Sequence, residues 1–128
     1  RNDKEYLFHL LQDIYFDNID TAKADEAAEA MHNDVRWVHN QVWEHDAHKT
    51  NIRDTLNGRK EVREFLRKRI VEMQIEGIIH KVENVVSDGK LGAFKANVIG
   101  TDKSKKPFFG LVELKDDKII YYRVLPQE

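Results

Sequence analysis

The chain has 128 residues, 41% of them apolar and 34% charged, with 21 basic and 23 acidic side chains and no cysteine. Residues 1–128 fit a single domain with one core, and a net charge of −2 gives no field that would gather nucleic acid or anionic lipid. The lack of cysteine excludes disulfides, thiolate nucleophiles and Cys-based metal sites, and no apolar run approaches the roughly 20 residues of a membrane span.

From Asp3 to about Asp17, Tyr6, Leu7, Leu10, Leu11 and Ile14 recur at helical spacing, with Asp3 as the expected cap. Asp20 reads as the cap of a second helix through about His32, whose Ala24, Ala27, Ala28 and Met31 make a narrow face. Val35 to His39 then reads as a short strand. The segment Asn40–Asn57 is polar and irregular. Asn57-Gly58 leads into a third helix with Val62, Phe65, Leu66, Ile70 and Met73 on one face. After Gly77 the period changes to two. Ile78–Val86 and Leu91–Ile99 form a hairpin across Ser87-Asp88-Gly89-Lys90, and Phe108–Leu114 and Ile119–Leu125 a second across Lys115-Asp116-Asp117-Lys118. A sheet of this size against three helices must curve to bury its inner face, with Gly92, Gly100 and Gly110 as expected bends or bulges.

Three stretches carry a family resemblance. Two N-terminal helices run into Met31-His32-Asn33-Asp34-Val35-Arg36-Trp37-Val38-His39; Asn57-Gly58-Arg59-Lys60-Glu61-Val62-Arg63-Glu64-Phe65 starts a helix; Asp117-Lys118-Ile119-Ile120-Tyr121-Tyr122-Arg123 ends the meander. In order and spacing they resemble the nuclear transport factor 2-like superfamily, in its SnoaL-like and ketosteroid-isomerase-like branch, over essentially the whole chain. The resemblance implies an α+β, cone-shaped fold: a strongly curved antiparallel sheet wrapped by three N-terminal helices around an apolar pocket. Enzymes of this superfamily include isomerases, polyketide cyclases, dehydratases and epoxide hydrolases that act on apolar ring compounds by acid/base chemistry without a cofactor. Other members bind ligands or associate. A homodimer is implied as well.

In that branch the strand after the second helix carries a catalytic carboxylate, and the alignment puts His39 in its place. This departure argues against ketosteroid isomerisation itself but keeps a base, since neutral imidazole accepts protons near pH 7. Strand alternation sets Val35, Trp37 and His39 on one face; a histidine that merely satisfies a buried polar group is the competing role. Tyr15 lies where the branch carries an oxyanion-stabilising tyrosine, with Tyr6 or Phe16 as the alternative pocket residue and core packing as the alternative role of Tyr15. The branch's second oxyanion donor falls near Gly110 and is missing. Trp37, Trp43, Val35, Val112 and Arg123 complete the candidate ligand-binding set, an exposed ion pair with Glu113 being the alternative for Arg123. His80 shares a face with Ile78 and Val82 and reads as a core-edge histidine. His39, His45 and His48 match no zinc or iron spacing, so no metal is assigned. No nucleotide fingerprint or Ser/His/Asp array is present, and no cofactor is implied.

Three readings result. The first is an isomerase, cyclase or dehydratase of a small apolar molecule, using His39 as base or acid and Tyr15 as hydrogen-bond donor. The second is a binder using the same pocket without turnover. The third is a homodimeric association module built on the outer sheet face. The cytoplasm is the expected compartment, because nothing in the composition calls for an oxidising one.

Overall fold

The computed structural model describes residues 1–42 and 52–127, apart from the side chains of residues 73–76. Asn2, rather than Asp3, caps the first helix by accepting the Glu5 amide at 3.0 Å, and Asp3 joins the first turn, where its charge suits the positive end of the dipole. The helix runs from α1 (Asp3–Phe8) through a π-helical stretch (His9–Phe16) into α2 (Asp17–Asp20). Asp20 therefore ends this helix instead of capping the next. Ala22, at φ 64°, turns the chain into the short α3 (Ala24–Ala28), and Met31 already belongs to the following strand.

The remaining elements are β1 (Met31–Asn40), β2 (Arg53–Asn57), α4 (Arg59–Glu76), β3 (Ile79–Ser87), β4 (Leu91–Ile99), β5 (Lys105–Lys115) and β6 (Lys118–Pro126). They form one curved, unclosed sheet of order β2-β1-β6-β5-β4-β3, giving the expected α+β fold. All neighbours are antiparallel except β1 and β6, which the intervening helix and hairpins allow to run parallel. β2 corrects the expectation of an irregular segment at its C-terminal end. It is short, charged and at an edge, so its residues lack the alternation that marks a strand.

The register shifts within the meander fall away from the glycines. Val82 faces Ala96 while Asn84 faces Lys95, so Glu83 is the extra residue; Ile120 is extra between Glu113↔Tyr121 and Leu114↔Ile119. Each bulge absorbs one residue and resets the alternation. Val82 and Val85 therefore both point inward, as do Ile119 and Tyr122. Gly92 and Gly110 serve side-chain packing instead: a Cβ would strike Leu7 at the first and the Phe94 ring at the second.

The core lies between this concave face and the helices. Leu7, Leu10, Leu11 and Ile19 come from the first helix, Ala24, Ala27 and Ala28 from α3, and Val62, Leu66 and Ile70 from α4. The small face of α3 appears as expected and lets α3 pack against α4. On the opposite, convex face Val86, Phe109, Leu111 and Leu125 are exposed. Among the described residues no helix is long and apolar enough to cross a membrane.

Candidate functional site

The concave face leaves a cavity of about 60 Å³, within about 580 Å³ of empty space counted out through its mouth. A water needs roughly 10–15 Å³ on the first measure, so the enclosed part admits one small ring. A steroid would have to extend through the mouth. Tyr15, Phe16, Trp37, Phe108 and Tyr122 supply aromatic walls, and His39, Gln41, Arg69 and His80 the polar ones.

Trp37 organises one wall. Its Nε1–H donates to the Tyr15 hydroxyl oxygen at 3.0 Å, and both side chains are buried. Its indole stacks with His39 at 5.1 Å and 19°, and with Tyr122 at 5.7 Å and 8°. Local structure explains both: His39 follows two residues later on the same strand face, and Tyr122 is the partner of Trp37 across the parallel β1–β6 pair. Burial pushes the Tyr15 phenol well above the ordinary range, against opposing hydrogen bonds from Trp37 and Tyr122. Burial and the neighbouring Tyr15 likewise raise Tyr122. Tyr15 is thus a neutral phenol at physiological pH. With its oxygen accepting from Trp37, its chemical use is to donate its own proton in a hydrogen bond, and that acceptance strengthens the donor.

A second constellation was not expected from the sequence. Asp20, at the end of the first helix, accepts the His80 ring Nδ1–H at 2.7 Å through Oδ1 and the His80 backbone N–H at 2.8 Å through Oδ2. Because a carboxylate only accepts, Nδ1 carries the proton and Nε2 remains for chemistry. Gln12 holds the same strand edge, donating to the His80 carbonyl at 3.1 Å and accepting the Val82 amide at 2.7 Å. The His80 ring stacks on Phe16 at 4.9 Å and 12°. Its inward face was legible in the strand alternation, and a polar ring on a core face requires a buried partner. That partner lies sixty residues away in sequence.

The other candidates divide. His39, Tyr15 and Trp37 come together at the cavity. Val35 and Val112 are buried in the solid core and do not line it. Arg123 points to the convex face, because Tyr122 and Val124 on either side of it face inward; it donates to Asn40 Oδ1 at 2.8 Å rather than pairing with Glu113. Trp43, His45 and His48 lie outside the described residues. Arg69 and Gln41 line the cavity without having been expected there, and Arg69 is ion-paired with Glu72 on the next helical turn. Among the described residues no three potential ligands gather into a metal site.

An open, strongly curved sheet folded over helices around a pocket defines a cone-shaped α+β fold. Comparison with solved structures places it as the nuclear transport factor 2-like fold. An LEH-like epoxide hydrolase from Mycobacterium tuberculosis superposes with a TM-score of 0.68 at 15% identity, over 98% of this chain and 86% of that one. A provisionally assigned ketosteroid isomerase from Kribbella flavida gives 0.66 at 18% identity, over 98% and 81%. A nuclear transport factor 2-like protein of unknown function from Mesorhizobium loti gives 0.65 at 11% identity, over 100% and 96%. Neither a protein-family model nor a curated protein matches the sequence.

Proposed function

We propose that the cavity carries out acid/base chemistry on a small, apolar, oxygen-bearing ring compound, using side chains alone. His39 takes a proton from carbon, and Tyr15 donates a hydrogen bond to the oxygen on which negative charge develops. The observation that carries this reading is the shared indole: Trp37 hydrogen-bonds Tyr15 and stacks with His39, so base and donor face one cavity at fixed spacing. Solved structures of the same fold include proteins named as an isomerase and an epoxide hydrolase, which is compatible with it.

The test is exchange of the α-hydrogens of cyclohexanone in heavy water, followed by NMR. Wild type accelerates exchange, His39→Gln loses roughly 10²–10⁴-fold of the acceleration, and Tyr15→Phe roughly 10²–10³-fold. A rate indifferent to His39 rejects the reading and leaves a binding pocket. On the convex face, exposed Val86, Phe109, Leu111 and Leu125 form an apolar surface suited to association, and a second copy of the chain is its proposed partner.

A further inference from the structure

We infer that the cavity selects cyclic keto acids, Arg69 binding the carboxylate of the ligand in place of its present partner, Glu72. The inference rests on the acid/base reading for the ketone and adds a group that recognises charge. α4 runs alongside β1: near the start of both, Arg59 Nε donates to the Met31 carbonyl at 2.8 Å, and further on the Phe65 ring packs against Trp37 at 5.1 Å and 54°. Arg69 lies one turn beyond Phe65 on the same helix face. It therefore enters the cavity past Trp37, where His39 and then Gln41 follow along the chain, and all three line it.

A guanidinium keeps its charge in a protein, and a buried one needs an anion beside it. Arg69 is 7% exposed. Its Nη1 donates to Glu72 Oε2 at 2.5 Å, and the Glu72 side chain is 40% exposed. The cation thus faces the cavity while its counter-ion stands toward solvent. Among the described residues that line the cavity Arg69 is the only lysine or arginine, and no aspartate or glutamate joins it. The wall carries positive charge with no negative charge to repel an anion. Glu72 is half in water already, so it returns there at little cost when a ligand carboxylate takes its place.

The planar guanidinium fork matches the two oxygens of a carboxylate, which a point charge does not. A neutral ring ketone has only its oxygen to fix it and can turn against the aromatic walls. A ring held by its carboxylate at Arg69 and by its ketone oxygen at Tyr15 has two fixed points, and its α-hydrogen stays on the His39 side. Binding energy from the remote charge is then spent on orienting the reacting carbon.

Two probes test this by calorimetry at pH 7: para-oxocyclohexanecarboxylate and its primary amide, which has the same shape without the charge. Wild type should bind the acid roughly 10–100-fold tighter than the amide. Arg69→Gln should erase that preference and leave amide binding unchanged. Glu72→Gln removes the competing carboxylate, so it should tighten the acid by roughly two- to fivefold and leave the amide alone. The inference is overturned if wild type binds acid and amide equally, or if Glu72→Gln fails to tighten the acid. It is also overturned if Arg69→Gln weakens both probes alike, which would make Arg69 structural. Glu72→Gln keeps Arg69 in place and so decides the matter even where Arg69→Gln does not fold. Binding needs no turnover: an acid preference without α-exchange of cyclohexanone or the keto acid rejects the acid/base reading and keeps the carboxylate site. Exchange of cyclohexanone without an acid preference rejects this inference alone.

Discussion

Replacing Tyr15 by Phe removes one oxygen and changes almost nothing in shape, so its consequences follow from hydrogen bonding. Tyr15 and Trp37 are each 2% exposed. The variant leaves the Trp37 Nε1–H, now 3.0 Å from its acceptor, buried without that partner. A buried donor left unsatisfied costs about 1–3 kcal/mol, a sizeable part of the roughly 5–15 kcal/mol that holds a domain together. No cavity term is added, because the ring stays. The melting temperature should fall by roughly 4–12 °C. In urea the midpoint should drop while the slope stays constant. Tyr15→Phe combined with Trp37→Phe tests the pairing itself: the double variant should lose less than the sum of the singles, by about 1 kcal/mol or more. Additive losses within about 0.3 kcal/mol would refute the hydrogen bond as an energetic unit.

Further outcomes are expected away from that pair. Tyr15 and Tyr122 have folded-state phenol values raised by burial; their contribution is intact below the unfolded value of about 10 and lost as pH climbs beyond it. Stability in urea should therefore decline above about pH 10, with phenolate absorbance from these two appearing only on unfolding. Ala22, exposed at φ 64°, occupies a conformation that disfavours a Cβ. Ala22→Gly should stabilise by about 0.5–1 kcal/mol after its greater unfolded-state entropy is subtracted, read as a higher melting temperature. Leu111→Lys on the convex face should convert a dimer to monomer in sedimentation with folding unchanged; a sedimentation coefficient identical to wild type would reject that face as the contact.

The meander was legible because its residues obey two strong local rules, alternation facing one core and turn residues between the strands. The third helix was equally readable from the spacing of Val62, Phe65, Leu66 and Ile70. β2 was not, since this short edge strand sets Asp54 beside Leu56 on its inner face and so shows no run of apolar alternation. The second helix was overextended because Met31 and its neighbours suit helix or strand, and only pairing with Ile119 decides for strand. At the site, His39 and Trp37 followed from alternation on a single strand. Arg123 was uncertain because the bulge at Ile120 shifts the register of β6, which no local pattern reveals. The Asp20–His80 contact is wholly tertiary: an acid at a helix end looks like a cap, and a histidine on a core face looks like packing, until the fold joins them.

The most direct test of the central claim is whether His39 and Tyr15 act on the same molecule. Cyclohexanone exchange should be measured for wild type, His39→Gln, Tyr15→Phe and the double variant. A base and an oxyanion donor working in one transition state predict strong losses in each single variant and little further loss in the double. Losses that multiply independently, or exchange no faster with wild type than in buffer, would contradict it.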